Sequence, residues 1–215
     1  MKCGVQKIIS RGDSARALLL DNGEEITADH IISSIGAPET EKLINETNAP
    51  KPSPVGRLSF VETITVLDQQ PRELGWGDDT IVFFNDSAKF SYEQPQNQVD
   101  PRSGVICIPN NFDFADGQEL SEGIFRCTCL ANYDQWATLP EEQYQQDKAL
   151  WYDRVQTSAR RFMPGLEPAD ALKNATLATD MFTPRTITKF TGHEGGAIYG
   201  SSTKHRQGRT ALENV

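Results

Sequence analysis

Four glycines, Gly192, Gly195, Gly196 and Gly200, follow Pro184 in the stretch MFTPRTITKFTGHEGGAIYG, which spans Met181 to Gly200. Pro184 fixes φ and removes a backbone donor, so a strand arriving from Met181 ends at Thr183-Pro184 and opens into a loop. The glycines admit backbone conformations that a Cβ forbids, which lets such a loop lie against a flat ligand. An ordinary surface loop punctuated by glycine is the plain alternative. The spacing fits neither G-x-G-x-x-G nor the P-loop pattern, so it carries no phosphate fingerprint.

The other groups able to do chemistry are scattered. Cys3, Cys107, Cys127 and Cys129 read as reduced thiols. Cys127 and Cys129 fall on one face of an extended run, where burial explains them without a metal. His30, His193 and His205 have no ligand spacing around them, so no metal site is expected. The cluster Lys204 to Arg209 is positive enough to meet a phosphate, with a solvated tail as the alternative. Arg11-Gly12-Asp13 reads as a plain turn.

The elements that must position these residues follow from pattern. Val5 to Ile35 reads as a β-meander of VQKII, RALLL, EEITA and HIISSI, with a type I′ turn at Asn22-Gly23. The last run, HIISSI, is apolar enough to insert into a covered sheet. Glu39 to Asn45 suits a short helix, and the prolines of Asn48 to Pro54 mark a connector. Strands are expected over Arg57 to Leu67, Thr80 to Phe84, Gly104 to Pro109, Gly123 to Leu130 and Leu172 to Phe182, with Asp86 to Arg102 as loop. Leu139 to Met163 carries acidic residues early, arginines late and an apolar stripe of Tyr144, Trp151, Val155 and Phe162, the pattern of a helix that packs on a sheet. Ala211 to Val215 reads as the start of a strand.

A chain of 215 residues with a net charge of −9 is long enough for one core with a smaller lobe. Its charge argues against nucleic acid or anionic lipid as partners. No apolar run approaches the ~20 residues of a membrane span. Without an expected signal peptide, the chain reads as cytoplasmic or peripheral to a membrane. The fold class expected is α+β: a mixed, largely antiparallel sheet of six or seven strands, one long covering helix and a small meander.

In order, these segments resemble the FAD-dependent phytoene desaturase group, which also contains carotenoid isomerases and retinol saturases, within the amine oxidase superfamily. The resemblance is carried by GVQKIISRGDSARALLLDNGEEITADHIISSIGAPET and by LPEEQYQQDKALWYDRVQTSARRFMPGLE followed by LATDMFTPRTITKFTGHEGGAIYG. It implies a portion of such a protein that lacks the N-terminal Rossmann glycine loop and the closing flavin-binding segment. The divisions implied are 1–47, an edge of the FAD-binding domain; 48–182, the substrate-domain sheet and helix; and 183–215, the glycine loop and return to the flavin domain.

Carried across by residue, the resemblance implies that Val5, Ser33, Ser34 and Gly36 border FAD. It places Gly195, Gly196 and Tyr199 towards the flavin ring and substrate. It supplies no universal side-chain acid or base. It further implies hydride transfer between flavin and a hydrophobic, isoprenoid-like substrate in an apolar tunnel between sheet and helix, lined by residues such as Trp151 or Phe182. The missing flavin-domain segments, in the same protein or a partner chain, would complete the site. The alternative is a non-catalytic module for an apolar ligand or a protein; an amine oxidase branch would instead require an aromatic pair at the flavin.

Overall fold

The computed structural model describes residues 3–44, 54–165, 170–201 and 208–215. They divide into two compact units, Met1–Arg57 with Thr188–Val215, and Leu58–Ile187. Both are built on antiparallel sheet, and with the five α-helices among the described residues the fold is α+β. Most of Asn48 to Pro54, and the basic cluster from Lys204 to Gln207, lie outside the described residues.

In the first unit β1 (Val5–Arg11), β2 (Ser14–Leu20) and β3 (Glu25–Thr27) form a meander. Its tightest turn is Gly12-Asp13, where Arg11 faces Ser14 and Gly12 takes a φ of 60°. The type I′ turn expected at Asn22-Gly23 is instead a three-residue loop. Gly23 N–H donates to Leu20 O at 2.9 Å, Leu20 N–H to Glu24 O at 2.9 Å, and Gly23 sits at φ 81°. Asn22 Oδ1 takes the Glu24 N–H at 3.0 Å, so the asparagine stabilises the loop through its side chain.

HIISSI does not form the expected strand: no described strand offers an edge to it, and Ile32 is 97% exposed. Its Ile31 N–H bonds Asn214 O instead. Residues 208–215, expected to start a strand, form a strap whose bonds go to separate points rather than one ladder. Glu213 N–H reaches Asp13 O, while the Asn214 amide bonds both Ala15 N–H and Ala15 O and also Asp29 O. Leu212 thereby enters the core with Ile8, Ala15 and Ile44, the last on α1 (Ala37–Ile44).

The second unit is a five-stranded sheet. Its strands are β4 (Ser59–Leu67), β5 (Ile81–Asn85), β6 (Ser103–Cys107), β7 (Gly123–Ala131) and β8 (Thr176–Phe182), in the order β5-β6-β7-β4-β8. After β7, Asn132 caps the short helix α2 (Tyr133–Ala137), which buries Trp136. The expected long helix is α3 (Glu141–Arg160), with Tyr144, Trp151 and Val155 buried while Phe162, just beyond it, stacks on Phe84. The expected strand from Leu172 starts as a helical turn, α4 (Ala171–Ala175), before extending into β8.

The loop expected after Pro184 begins as a helix, α5 (Pro184–Thr191). Thr183 Oγ1 accepts from Thr186 N–H while Thr186 Oγ1 accepts from Thr183 N–H, a reciprocal cap. Pro184 stands at the first helical position, where its missing donor costs nothing. The same proline that ends a strand therefore starts a helix.

Candidate functional site

In the first unit, Ser34, Gly36 and Pro38 line a cavity of about 310 Å³ with Val55, His193 and Ile198. Two of its glycines pack closely against neighbouring protein atoms, one a backbone carbonyl and one a side-chain carboxylate. A Cβ on Gly56 would lie 2.1 Å from Gly200 O, and one on Gly36, at φ 112°, would lie 2.3 Å from Glu39 Oε2. Glu39, in the first turn of α1, accepts the Glu194 N–H at 2.8 Å and has His193 Nδ1 3.8 Å away. Lys42 pairs with Glu194 across the same seam. The glycine segment is thus tied to α1 by charge and backbone contact.

Of the residues implied for the site, Ser33, Ser34 and Gly36 line a second cavity of about 460 Å³, closed by Thr210 and Val215. Ser33 Oγ lies 2.6 Å from Thr40 Oγ1, and that hydroxyl also donates to Gly36 O at 2.6 Å. Gly195 and Gly196 form a turn at positive φ between His193 and Ala197, both of which line the first cavity. Val5 opens β1 at 37% exposure and lines neither cavity; Tyr199 is 43% exposed and lines neither.

The second unit presents a different surface. On one face of its sheet, α3 covers Val61, Thr63 and Thr65, with Gln156 Nε2 donating to Thr63 Oγ1 at 2.8 Å and Tyr152 Oη 2.6 Å from Thr65 Oγ1. Strand alternation sends Phe60, Glu62, Ile64 and Val66 to the other face. Register places Leu130, Thr128, Arg126 and Ile124 beside them on β7, and Phe182, Asp180 and Ala178 on β8. On the far side follow Val105 and Cys107 of β6, then Phe83 and Ile81 of β5. Phe83 is 78% exposed, so this apolar sheet face is open to solvent at its β5 side.

Charge interrupts it at the β8 side, where Asp180 pairs with Lys148 of α3 at 2.6 Å, and at its centre. Arg126 Nε and Nη2 donate to the two Glu62 oxygens at 2.8 Å each, and Thr128 Oγ1 adds a bond to Glu62 at 3.1 Å. Cys107 stands opposite Arg126 in the register. Burial raises the Cys107 thiol pKa, with Arg126 opposing and Glu62 reinforcing the shift. Cys127 and Cys129 point the other way into the core; the Cys127 thiol is pushed well up by its bond to Cys129 and then by burial.

The expected lining pair is separated. Phe182 lies on the open face, stacked on Phe60 at 6.1 Å, whereas Trp151 is buried on the α3 side with its Nε1–H donating to Gln98. The two residues therefore lie on opposite faces of the sheet and do not line one tunnel. Pattern had shown Phe60, Ile64 and Val66 as the apolar positions of β4, but not that the threonines opposite them would be the covered side. The Glu62–Arg126 pair was missed because its residues are 64 apart in sequence and meet only through strand register.

Among the described residues, no helix is long and apolar enough to cross a membrane, and no group of His, Cys, Asp or Glu is arranged to hold a metal ion. No family model matches the chain. The chain is similar to the chloroplastic prolycopene isomerase of Daucus carota, at 24% identity over 203 residues. The match covers 93% of this chain but 31% of that protein, so the chain spans about a third of the relative's length. The similarity reaches as far as a carotenoid isomerase or desaturase-like protein.

Proposed function

We propose that this chain is the substrate-domain portion, with two edges of the flavin domain, of an FAD-dependent oxidoreductase acting on a hydrophobic, polyene-like substrate. The observation that carries the reading is the face of the five-stranded sheet opposite the one that α3 packs on, an apolar surface whose central charge pair is internally neutralised. An elongated apolar molecule can lie along such a face without leaving a buried charge uncompensated.

The first unit supplies a partial fit for the cofactor. The cavity edged by Ser34, Gly36 and Gly200 is where a flat ring edge would enter. At about 310 Å³ it holds a ring edge rather than a whole dinucleotide, and other segments would take the remainder. When bound, flavin supplies hydride acceptance or return. The chain's own residues hold that edge and orient the substrate. The exposed run around Ile32 is the surface that such flavin-domain segments, of the same protein or a partner chain, would cover.

The test has two readouts. An apolar fluorescent polyene titrated into the purified chain is expected to bind, and Phe83→Asp, which places a charge on the open face beside Val105 and away from Arg126, is expected to weaken binding at least tenfold, since the bound polyene would cover a charge with no partner. Unchanged binding in Phe83→Asp overturns the assignment of the face. Visible absorption after incubation with FAD and gel filtration separates the two forms of the proposal. Retained flavin bands mean that these edges suffice, while a colourless chain that still binds polyene supports the non-catalytic binding module.

A further inference from the structure

We propose that Arg126 is a specificity-determining residue that selects apolar ligands bearing a neutral oxygen, such as a hydroxyl or carbonyl, over both the pure hydrocarbon and the carboxylate. The inference rests on the reading of the open face as a polyene-binding surface.

A guanidinium has five N–H donors in a fixed plane. Glu62 takes two of them, through Nε and Nη2, in a fork that fixes the plane against the sheet. Among the described residues no other acceptor engages Arg126, so three N–H groups are directed elsewhere. The arginine side chain is 39% exposed and its partner carboxylate 14% exposed, so the donors, rather than the acid, are what the face presents. Ile64, Ile124, Val105 and Leu130 surround the pair on the same face by register.

A ligand covering this face removes water from those donors. A hydrocarbon leaves them unpaired, which costs binding; an oxygen acceptor pairs them. A carboxylate would pair them as well, but it would bring a second negative charge close to Glu62 in a surface of low dielectric. The neutral acceptor is the class that satisfies the donors without that repulsion. The same argument fixes what Glu62 contributes: it cancels the arginine's charge, so the site reads hydrogen bonding rather than net charge.

Three polyenes test this on the 215-residue chain: retinol, its dehydration product anhydroretinol, which is a hydrocarbon, and retinoic acid. Binding is followed by quenching of tryptophan fluorescence. Retinol is expected to bind about tenfold more tightly than either of the others, the effect of one hydrogen bond to a charged donor. Glu62→Gln, which keeps the shape and leaves the arginine charge uncancelled, is expected to shift preference to retinoic acid; a purely structural role for the pair would not reverse selectivity. The double variant Glu62→Gln/Arg126→Met is expected to bind all three alike while retaining anhydroretinol. Equal binding of retinol and anhydroretinol by the parent chain overturns the role of Arg126 and leaves the apolar face standing. Binding of none of the three overturns the face itself.

Discussion

At the scale of single residues, placement decides which ionisable groups stabilise the protein. Asp100 Oδ1 accepts from Arg102 N–H at 3.1 Å and from Arg102 Nε at 2.8 Å, which fixes the loop entering β6. The side-chain bond to Arg102 holds the Asp100 carboxyl below its ordinary value, against the opposing effect of burial. A carboxyl depressed by folding adds stability that is present above its unfolded value, near about pH 4, and is lost as pH falls through the folded value. Asp100→Asn is therefore expected to be less stable than the parent at pH 7. The gap should narrow below about pH 4. Urea unfolding midpoints measured across this range check it; a gap that stays constant with pH would mean that packing rather than charge is lost.

At the scale of elements, β4 shows what periodicity can and cannot decide. Its alternation, like the length, charge order and aromatic stripe of α3, was legible because those signals sit within one segment. Which face of β4 becomes covered depends on Gln156 and Tyr152 of α3, which hydrogen-bond Thr63 and Thr65, and no local pattern carries that choice. HIISSI was misread for a related reason: an apolar run becomes a strand only where another strand offers an edge. At α5 the reciprocal cap Thr183-Pro-Arg-Thr186 is present in the sequence, but Thr-Pro also ends strands, and local pattern does not choose between the two. Gly195 and Gly196 fall in a turn that follows α5, an order of helix and then turn that glycine spacing alone does not reveal. The α3–β4 contact is itself testable. Gln156 Oε1 is buried without a partner among the described residues, so Gln156→Met should be neutral or stabilising by about 1 kcal/mol. Thr63→Val alone strands the Gln156 amide donor and should cost about 1–3 kcal/mol, most of it recovered in the double variant, as read from denaturant midpoints.

At the scale of the whole molecule, the two units differ in how the chain builds them. The second is continuous from Leu58 to Ile187, whereas the first joins residues on both sides of it. Removal of residues 208–215 takes Leu212 out of the first core and leaves Ala15 and Asp29 without their Asn214 bonds. It is expected to abolish unfolding protection of β1–β3 while leaving amide exchange in β4 and β7 unchanged, as hydrogen-exchange mass spectrometry would show. Loss of protection in both units would join them into one cooperative body. The strap has a further consequence for synthesis. A ribosome delivers residues in order, and domains generally fold as units as they emerge. The sheet from Leu58 to Ile187 can close while the meander ahead of it still waits for Leu212. Until Leu212 has been made, Ile8 and Ile44 lack a core neighbour that lies more than 160 residues further along the chain.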